Sequence, residues 1–195
     1  RRYLFADVEN FLLYDLVTPG GHVNEDVFAY SNRVGDERAL VIYHNRYAMA
    51  RGWIHTSVPY AVKTPEGEKR LVRKTLGEGL GLNADEGLFT IFRDHVTGLE
   101  YLRSNWELWE KGLYVELGAY KCHVFLDFRQ VRDDEKHPYA QLAAYLGGRG
   151  VPSVEEALRE VLLQPIHRAF RALFNADLLR RLVAARVTEP GQRPD

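Results

Sequence analysis

The chain has one cysteine, one methionine and no apolar run near the length of a membrane span. A lone Cys122 forms no internal disulfide, which removes the disulfide-stapled secreted class. A spanning helix needs roughly 20 consecutive apolar residues, so no transmembrane helix and no membrane partner are expected. Net charge is also nearly missing, 26 basic residues against 27 acidic ones leaving -1. Such a balance gives no field to attract a polyanion, and nucleic acid finds no support as a partner.

Motifs that carry chemistry are equally scarce. Histidines 22, 44, 55, 95, 123, 137 and 167 show no H-x-x-x-H spacing and no cysteine cluster, so no metal site is expected. The run Leu76 to Leu88, LGEGLGLNADEGL, is rich in glycine but has neither a lysine followed by Ser or Thr nor G-x-G-x-x-G, and Asn83, Asp85 and Glu86 lack calcium-loop spacing. It reads as a flexible surface loop, and no cofactor is expected. Ser57 and Ser153 lack a nucleophile elbow, while Cys122 reads as an inert core residue. Asp94 and Glu100 flank a hairpin, but glycosidase carboxyls must face each other across roughly 5–9 Å, which chain spacing does not establish. His123 and Asp127, four residues apart on an expected strand, lie about 13 Å apart and form no pair.

What is present is an ordinary globular composition, 46% apolar and 27% charged, with 195 residues able to build one core and a smaller appended unit. Arg outnumbers Lys by 20 to 6. The chain begins RRYLF without methionine, so it reads as a processed or cut-down product.

Residues 25–47 organise the rest. Val27, Ala29 and Ser31 alternate with Phe28 and Tyr30, Gly35 sits in a polar turn, and the apolar arm Ala39 to His44 is suited to lie between neighbouring strands. The arm ends in YHNRY, where His44, Asn45 and Arg46 offer hydrogen bonds to a polyol flanked by Tyr43, Tyr47 and Trp53, or equally satisfy loop carbonyls and cover an exposed sheet edge. Before it, ADVENFLLYDL at Ala6 to Leu16 reads as a short helix stopped by Pro19-Gly20-Gly21. After it, Pro59 interrupts an extended stretch, and Pro65-Glu66-Gly67 marks a wet hairpin tip.

FTIFR and LEYLR read as strands, followed by a short helix Trp106 to Lys111 capped by Ser104 or Asn105 and ended by Gly112. Trp106 and Trp109 share a helical face, open to sugar stacking or to covering the end of a core, the second being the default. Tyr114 to Leu117 and Lys121 to Phe128 read as a final strand pair turning at Gly118-Ala119. The expected core is Leu40, Ile42, Val124, Leu126 and Phe128. Beyond the charged linker QVRDDEKHP the period is helical: Tyr139 to Leu146 after Pro138, a helix from Val154 with a Ser153/Glu156 capping box, a bend or break at Pro165, and a last helix from Asn175 to Val187.

Two stretches resemble a known family. VFAYSN at Val27 to Asn32 with GDERALVIYHN at Gly35 to Asn45 is similar to the opening hairpin of the C-terminal β-domain in glycoside hydrolases of the α-amylase clan, a loose "VFAYSR…GDERVLVVxNF". LYVELGAYKCHVFLDF at Leu113 to Phe128 resembles that domain's closing strands, so that the likeness spans about residues 10 to 130. It implies a non-catalytic C-terminal accessory domain that serves carbohydrate metabolism, with an upstream catalytic barrel of the same polypeptide as partner; a cytoplasmic location is expected separately. The clan's catalytic carboxylates lie upstream, and no residue here matches them, so the isolated chain is expected to be inactive.

The expected fold is mainly β with a helical C-terminal extension: a lead-in over 1–20, an antiparallel β-sandwich-like domain over 21–130, three or four short helices over 131–188 and a disordered tail over 189–195. The candidate carbohydrate-binding residues are Tyr43, Asn45, Arg46, Trp53, Arg103, Trp106 and Trp109. A stand-alone carbohydrate-binding module, or an interaction domain that dimerises through the helical extension or an exposed docking face, is the rival reading. The expected outcome is buried tryptophans or an exposed apolar docking patch, not a sugar site.

Overall fold

In the computed structural model, which describes residues 1–6, 8–65, 67–174 and 176–185, a 3-10 turn (Arg2–Phe5) precedes strands β1 (Leu12–Val17), β2 (Val27–Val34), β3 (Glu37–His44), β4 (Ala50–Ser57), β5 (Tyr60–Lys63) and β6 (Lys69–Val72). A one-turn helix α1 (Leu76–Gly79) leads into β7 (Leu88–Asp94), β8 (Glu100–Ser104), α2 (Asn105–Glu110), β9 (Leu113–Leu117) and β10 (Cys122–Arg132). Then come α3 (Pro138–Leu146), α4 (Val154–Leu173) and α5 (Ala176–Ala184). Eight strands make one antiparallel sheet in the order β8-β7-β10-β3-β2-β1-β4-β9, with β5 and β6 paired apart from it. The fold is therefore mainly antiparallel β with a helical C-terminal extension. It divides into a unit from Arg1 to Leu158 and a second from Arg159 onward, and no helix among the described residues is long and apolar enough to cross a membrane.

The β2–β3 hairpin follows its alternation. Val27, Ala29 and Ser31 are buried while Phe28 is exposed. Val34 pairs with Glu37 across a two-residue loop whose first position, Gly35, has φ +57°, a conformation that costs glycine little. β3 lies between β2 and β10. Its Leu40 and Ile42 join Leu12, Tyr14, Leu16, Ile54, Phe92 and Phe125 in the main core.

Several expectations are corrected. The lead-in expected as a helix is strand β1 from Leu12 onward, with Leu12, Tyr14 and Leu16 inward; six residues with apolar positions fit either period, and pairing to β2 and β4 decides it. The expected flexible loop after Leu76 is a capped turn in which Thr75 and Glu78 bond each other's backbone, and Leu76, Leu80 and Leu82 plug the core. Its glycines permit close approach: a Cβ on Gly77 would lie 2.5 Å from the Trp109 ring, and one on Gly79 2.1 Å from the Tyr14 hydroxyl. β9 and β10 do not pair, because the chain leaves β9 at the sheet's edge and passes the β3–β4 connection, Tyr120 N–H donating to Arg46 O, before inserting between β3 and β7.

Another concerns β10 itself, which runs on to Arg132 through what reads as linker. A register shift between Leu126 and Arg129, with Asp127 at φ +54°, turns Phe128 back to the side of Phe125, where it stacks on Phe92. Val124 and Leu126 instead form a small second cluster with Leu4 and Ala39. Cys122 is a free, partly exposed thiol and not a core residue.

Pro138 opens α3 and Gly147, at φ +54°, ends it, as the punctuation predicts. α4 continues through Pro165, where a bend or break is expected, to Leu173. The turn residue Glu66, Asn175 at the start of the last helix and the expected tail over 189–195 lie outside the described residues.

Candidate functional site

β8 and β9 are consecutive in the chain yet occupy opposite edges of the sheet. The six residues of α2 join them, and at about 1.5 Å per residue such a helix spans only roughly 9 Å. The sheet must therefore curl until its two edges come close. Gly112 makes the second turn possible: its φ is +77°, and a Cβ there would lie 2.1 Å from the Ile54 carbonyl oxygen.

The gap between the edges is a cleft of about 700 Å³. Tyr101 and Arg103 reach it from β8, Leu113 to Glu116 from β9, Trp53 from β4, and His123 with Phe125 from β10. Glu107 on α2 and the turn Gly147 to Gly150 after α3 close the ends. That turn is held against the β8 edge by the paired hydrogen bonds of Val151 and Glu100.

Aromatic surface dominates. Trp53 and Tyr114 are directly cross-strand, with ring centroids 5.3 Å apart at 59°. Tyr101 meets Phe125 edge to face at 5.5 Å, and His123 stacks on Phe125 at 5.1 Å. Polar groups of both kinds are set among the rings. Arg103 lies over the Tyr101 ring, and its Nη2 donates to Gly148 O at 2.7 Å; burial lowers its pKa. Burial raises Tyr101, with the charge of Asp94 adding to the effect. Tyr114 donates its hydroxyl to Glu116 at 3.1 Å.

Behind the cleft, His123 Nδ1 lies 2.9 Å from Asp94 Oδ2. Asp94 is fully buried and also accepts from Thr97 Oγ1 and from the N–H groups of Val96 and Val124. Burial pushes its carboxyl up, but these donors together outweigh burial and hold it below its ordinary value. His123 is thus oriented by Asp94, not by Asp127, which holds His95 instead at 2.7 Å.

Of the seven sequence candidates, Trp53 and Arg103 both line the cleft, and the other five lie outside its lining. The YHNRY segment is used structurally: His44 is buried with Nδ1 3.0 Å from Gly118 O, Arg46 pairs with Asp26 at 2.7 Å, and Tyr43 donates to Asn45. Trp106 and Trp109 do not act as a pair. Trp106 is half exposed beneath the Lys111 ammonium, while Trp109 packs on Gly77 and donates to Leu82 O at 3.2 Å. Asn105, expected as a cap, is buried and donates to Asn83 O and Gln130 Oε1. Tyr101, Tyr114, Glu107, Glu116 and His123 were not legible as site residues. Tyr101 and Arg103 do share one face of LEYLR, but nothing local shows that this face meets another edge.

Glu100 is structural: its carboxylate is met by Arg93, Arg129 and the Val154 N–H. No group of three or more His, Cys, Asp or Glu among the described residues is arranged to hold a metal ion. No family model matches the chain, and no curated protein matches it.

Proposed function

We propose that the chain is a non-catalytic accessory domain of an α-amylase-like glycoside hydrolase, and that the cleft between β8 and β9 holds an oligosaccharide. The observation that carries this reading is the Trp53–Tyr114 pair in one cleft with Arg103. A pyranose ring offers an apolar face to an indole, and the hydroxyls at its rim need both donors and acceptors. Arg103 supplies the first, Glu107 and Glu116 the second. The cleft's volume of about 700 Å³ falls within the ordinary range of ligand pockets. The attachment to an upstream barrel, and with it a role in carbohydrate metabolism, rests on the resemblance of the Val27 to Asn45 and Leu113 to Phe128 stretches. The same cleft would serve a stand-alone carbohydrate-binding module, and a barrel encoded upstream in the open reading frame separates the two.

Titration with maltoheptaose, followed by tryptophan fluorescence and calorimetry, tests the binding; saturation tighter than about 1 mM, or roughly 4 kcal/mol, is expected. A reducing-sugar assay on the same oligosaccharide tests the absence of catalysis. Turnover that survives repurification and disappears in Glu107→Gln would overturn the non-catalytic part.

A separate observation favours a bracing role as well. On the face of β1–β3 opposite the main core, Leu13 pairs with Tyr30 and Phe28 with Tyr43, while Phe11 packs on Tyr30. Leu13 and Phe28 are 48% and 52% exposed, an apolar face of the kind that docks on another domain. In this reading the sheet face meets the barrel, leaving the cleft free for sugar.

A further inference from the structure

From Arg159 onward no described residue is buried, although Leu162, Ile166, Phe170 and Leu173 recur at helical spacing along α4 and are all about half exposed or more. These four form one stripe, since positions three and four apart share a helical face. Helices owe most of their stability to packing of such a stripe, so this one requires a cover.

The charges beside the stripe say what covers it. Glu156, Glu160, His167 and Arg171 follow one another at spacings of four, seven and four, which sets them along a single flank. Acids occupy its N-terminal half and bases its C-terminal half. The helix dipole alone favours acids early and bases late, but it does not gather them on one side. Reversed end to end, the series is its own complement.

We propose that α4 pairs antiparallel with α4 of a second copy of this chain. In an antiparallel two-fold pair each flank meets its own copy running the other way, so Glu156 falls opposite Arg171 and Glu160 opposite His167. Leu162 and Ile166 lie at the centre of the same register. A parallel pair would set this flank against the opposite one, where Leu158, Val161 and Pro165 carry no charge and Arg168 brings no acid to meet His167 and Arg171. Head-to-tail helix dipoles favour the antiparallel arrangement further. A membrane surface fits less well, because it selects a basic polar face without acids along it. The inference is independent of the sugar cleft.

Sedimentation equilibrium of the whole chain tests it. The unaltered protein is expected to form a dimer in a concentration-dependent way. Glu156→Arg with Glu160→Arg makes the flank wholly basic, and His167→Glu with Arg171→Glu makes it wholly acidic; each double variant should sediment as a monomer. An equimolar mixture of the two should restore the dimer. Circular dichroism checks that both fold, and Phe170→Ser replaces either that does not, again with a monomer expected. A monomeric unaltered protein overturns the proposal, whether or not it binds anionic vesicles. So does a dimer that persists in any single variant preparation, or a mixture of the charge variants that stays monomeric.

Discussion

His123 and Asp94, 29 positions apart in sequence, meet through a 2.9 Å contact between Nδ1 and Oδ2 at the back of the cleft. A second pair crosses it, since His95, next to Asp94, reaches Asp127 at 2.7 Å. With Asp94 held ionised, His123 Nδ1 is the donor, and Nε2 is the ring nitrogen left for a ligand.

Asp94 should make the fold acid-sensitive. Its folded-state pKa lies below the ordinary value, about 3.9 for an aspartate. In that window the unfolded chain binds more protons than the folded one. The stabilisation is therefore complete above the ordinary aspartate range and lost as pH falls through the lowered value. Asp94→Asn should cost about 1–3 kcal/mol at neutral pH and flatten the acid limb, as read by urea denaturation from neutral pH downward. Unchanged slopes in the variant would show that the carboxylate contributes nothing to acid stability.

The two faces of the sheet should respond differently to truncation. Ile42 is wholly buried in the main core, whereas Leu126 belongs to the small cluster with Leu4 and Ala39. Leu or Ile to Ala costs about 2–5 kcal/mol in a buried site. Ile42→Ala is expected in the upper half of that range and Leu126→Ala near its lower end, where the small cluster leaves fewer neighbours to lose. Equal losses in chemical denaturation would contradict this division.

What the sequence made legible was local. The hairpin Val27 to His44 and the stop at Gly147 depend on alternation, a two-residue turn and a left-handed glycine, all of which act between near neighbours. β1 reads as a helix because LLYDLV suits two periods, and only its distant partners β2 and β4 choose between them. The LGEGLGL stretch looked mobile because its glycines are spaced for close approach to Trp109 and Tyr14, which the sequence places far away. Trp53 and Arg103 were identified by their chemistry alone. Their place in one cleft depends on strand order and on the curl imposed by α2, and neither is written near either residue.

Packing of α1 can be separated from mere glycine flexibility. A Cβ on Gly79 would meet the Tyr14 hydroxyl at 2.1 Å and Leu12 Cδ1 at 2.8 Å, while one on Gly87 would meet nothing within 4 Å. Gly79→Ala is expected to cost about 1–3 kcal/mol by overpacking. Gly87→Ala should cost about 1–2 kcal/mol, from its positive φ alone. In a flexible loop Gly79→Ala would instead be neutral or stabilising, because alanine restricts the unfolded chain. Thermal and urea denaturation of the two variants give the comparison.

The cleft makes the sharpest demand on the candidate residues. If the cleft holds sugar as proposed, removing the Trp53 indole takes away its stacking surface but leaves β4 paired on both sides, so the loss should appear in binding and not in folding. An aromatic contact of this kind is worth about 0.5–1.5 kcal/mol beyond area, and with the buried area also lost, Trp53→Ala should weaken maltoheptaose at least about tenfold. Arg103→Leu removes the guanidinium and should weaken binding similarly, although it also frees the Gly148 carbonyl and loosens the turn after α3. Arg46→Ala and Tyr43→Phe change groups outside the cleft's lining and should leave affinity where it was. Calorimetry on the four variants, with denaturation run beside it, sorts these effects. Binding that survives Trp53→Ala but falls in Arg46→Ala would move the sugar to the YHNRY end of β3 and sink the assignment of the cleft.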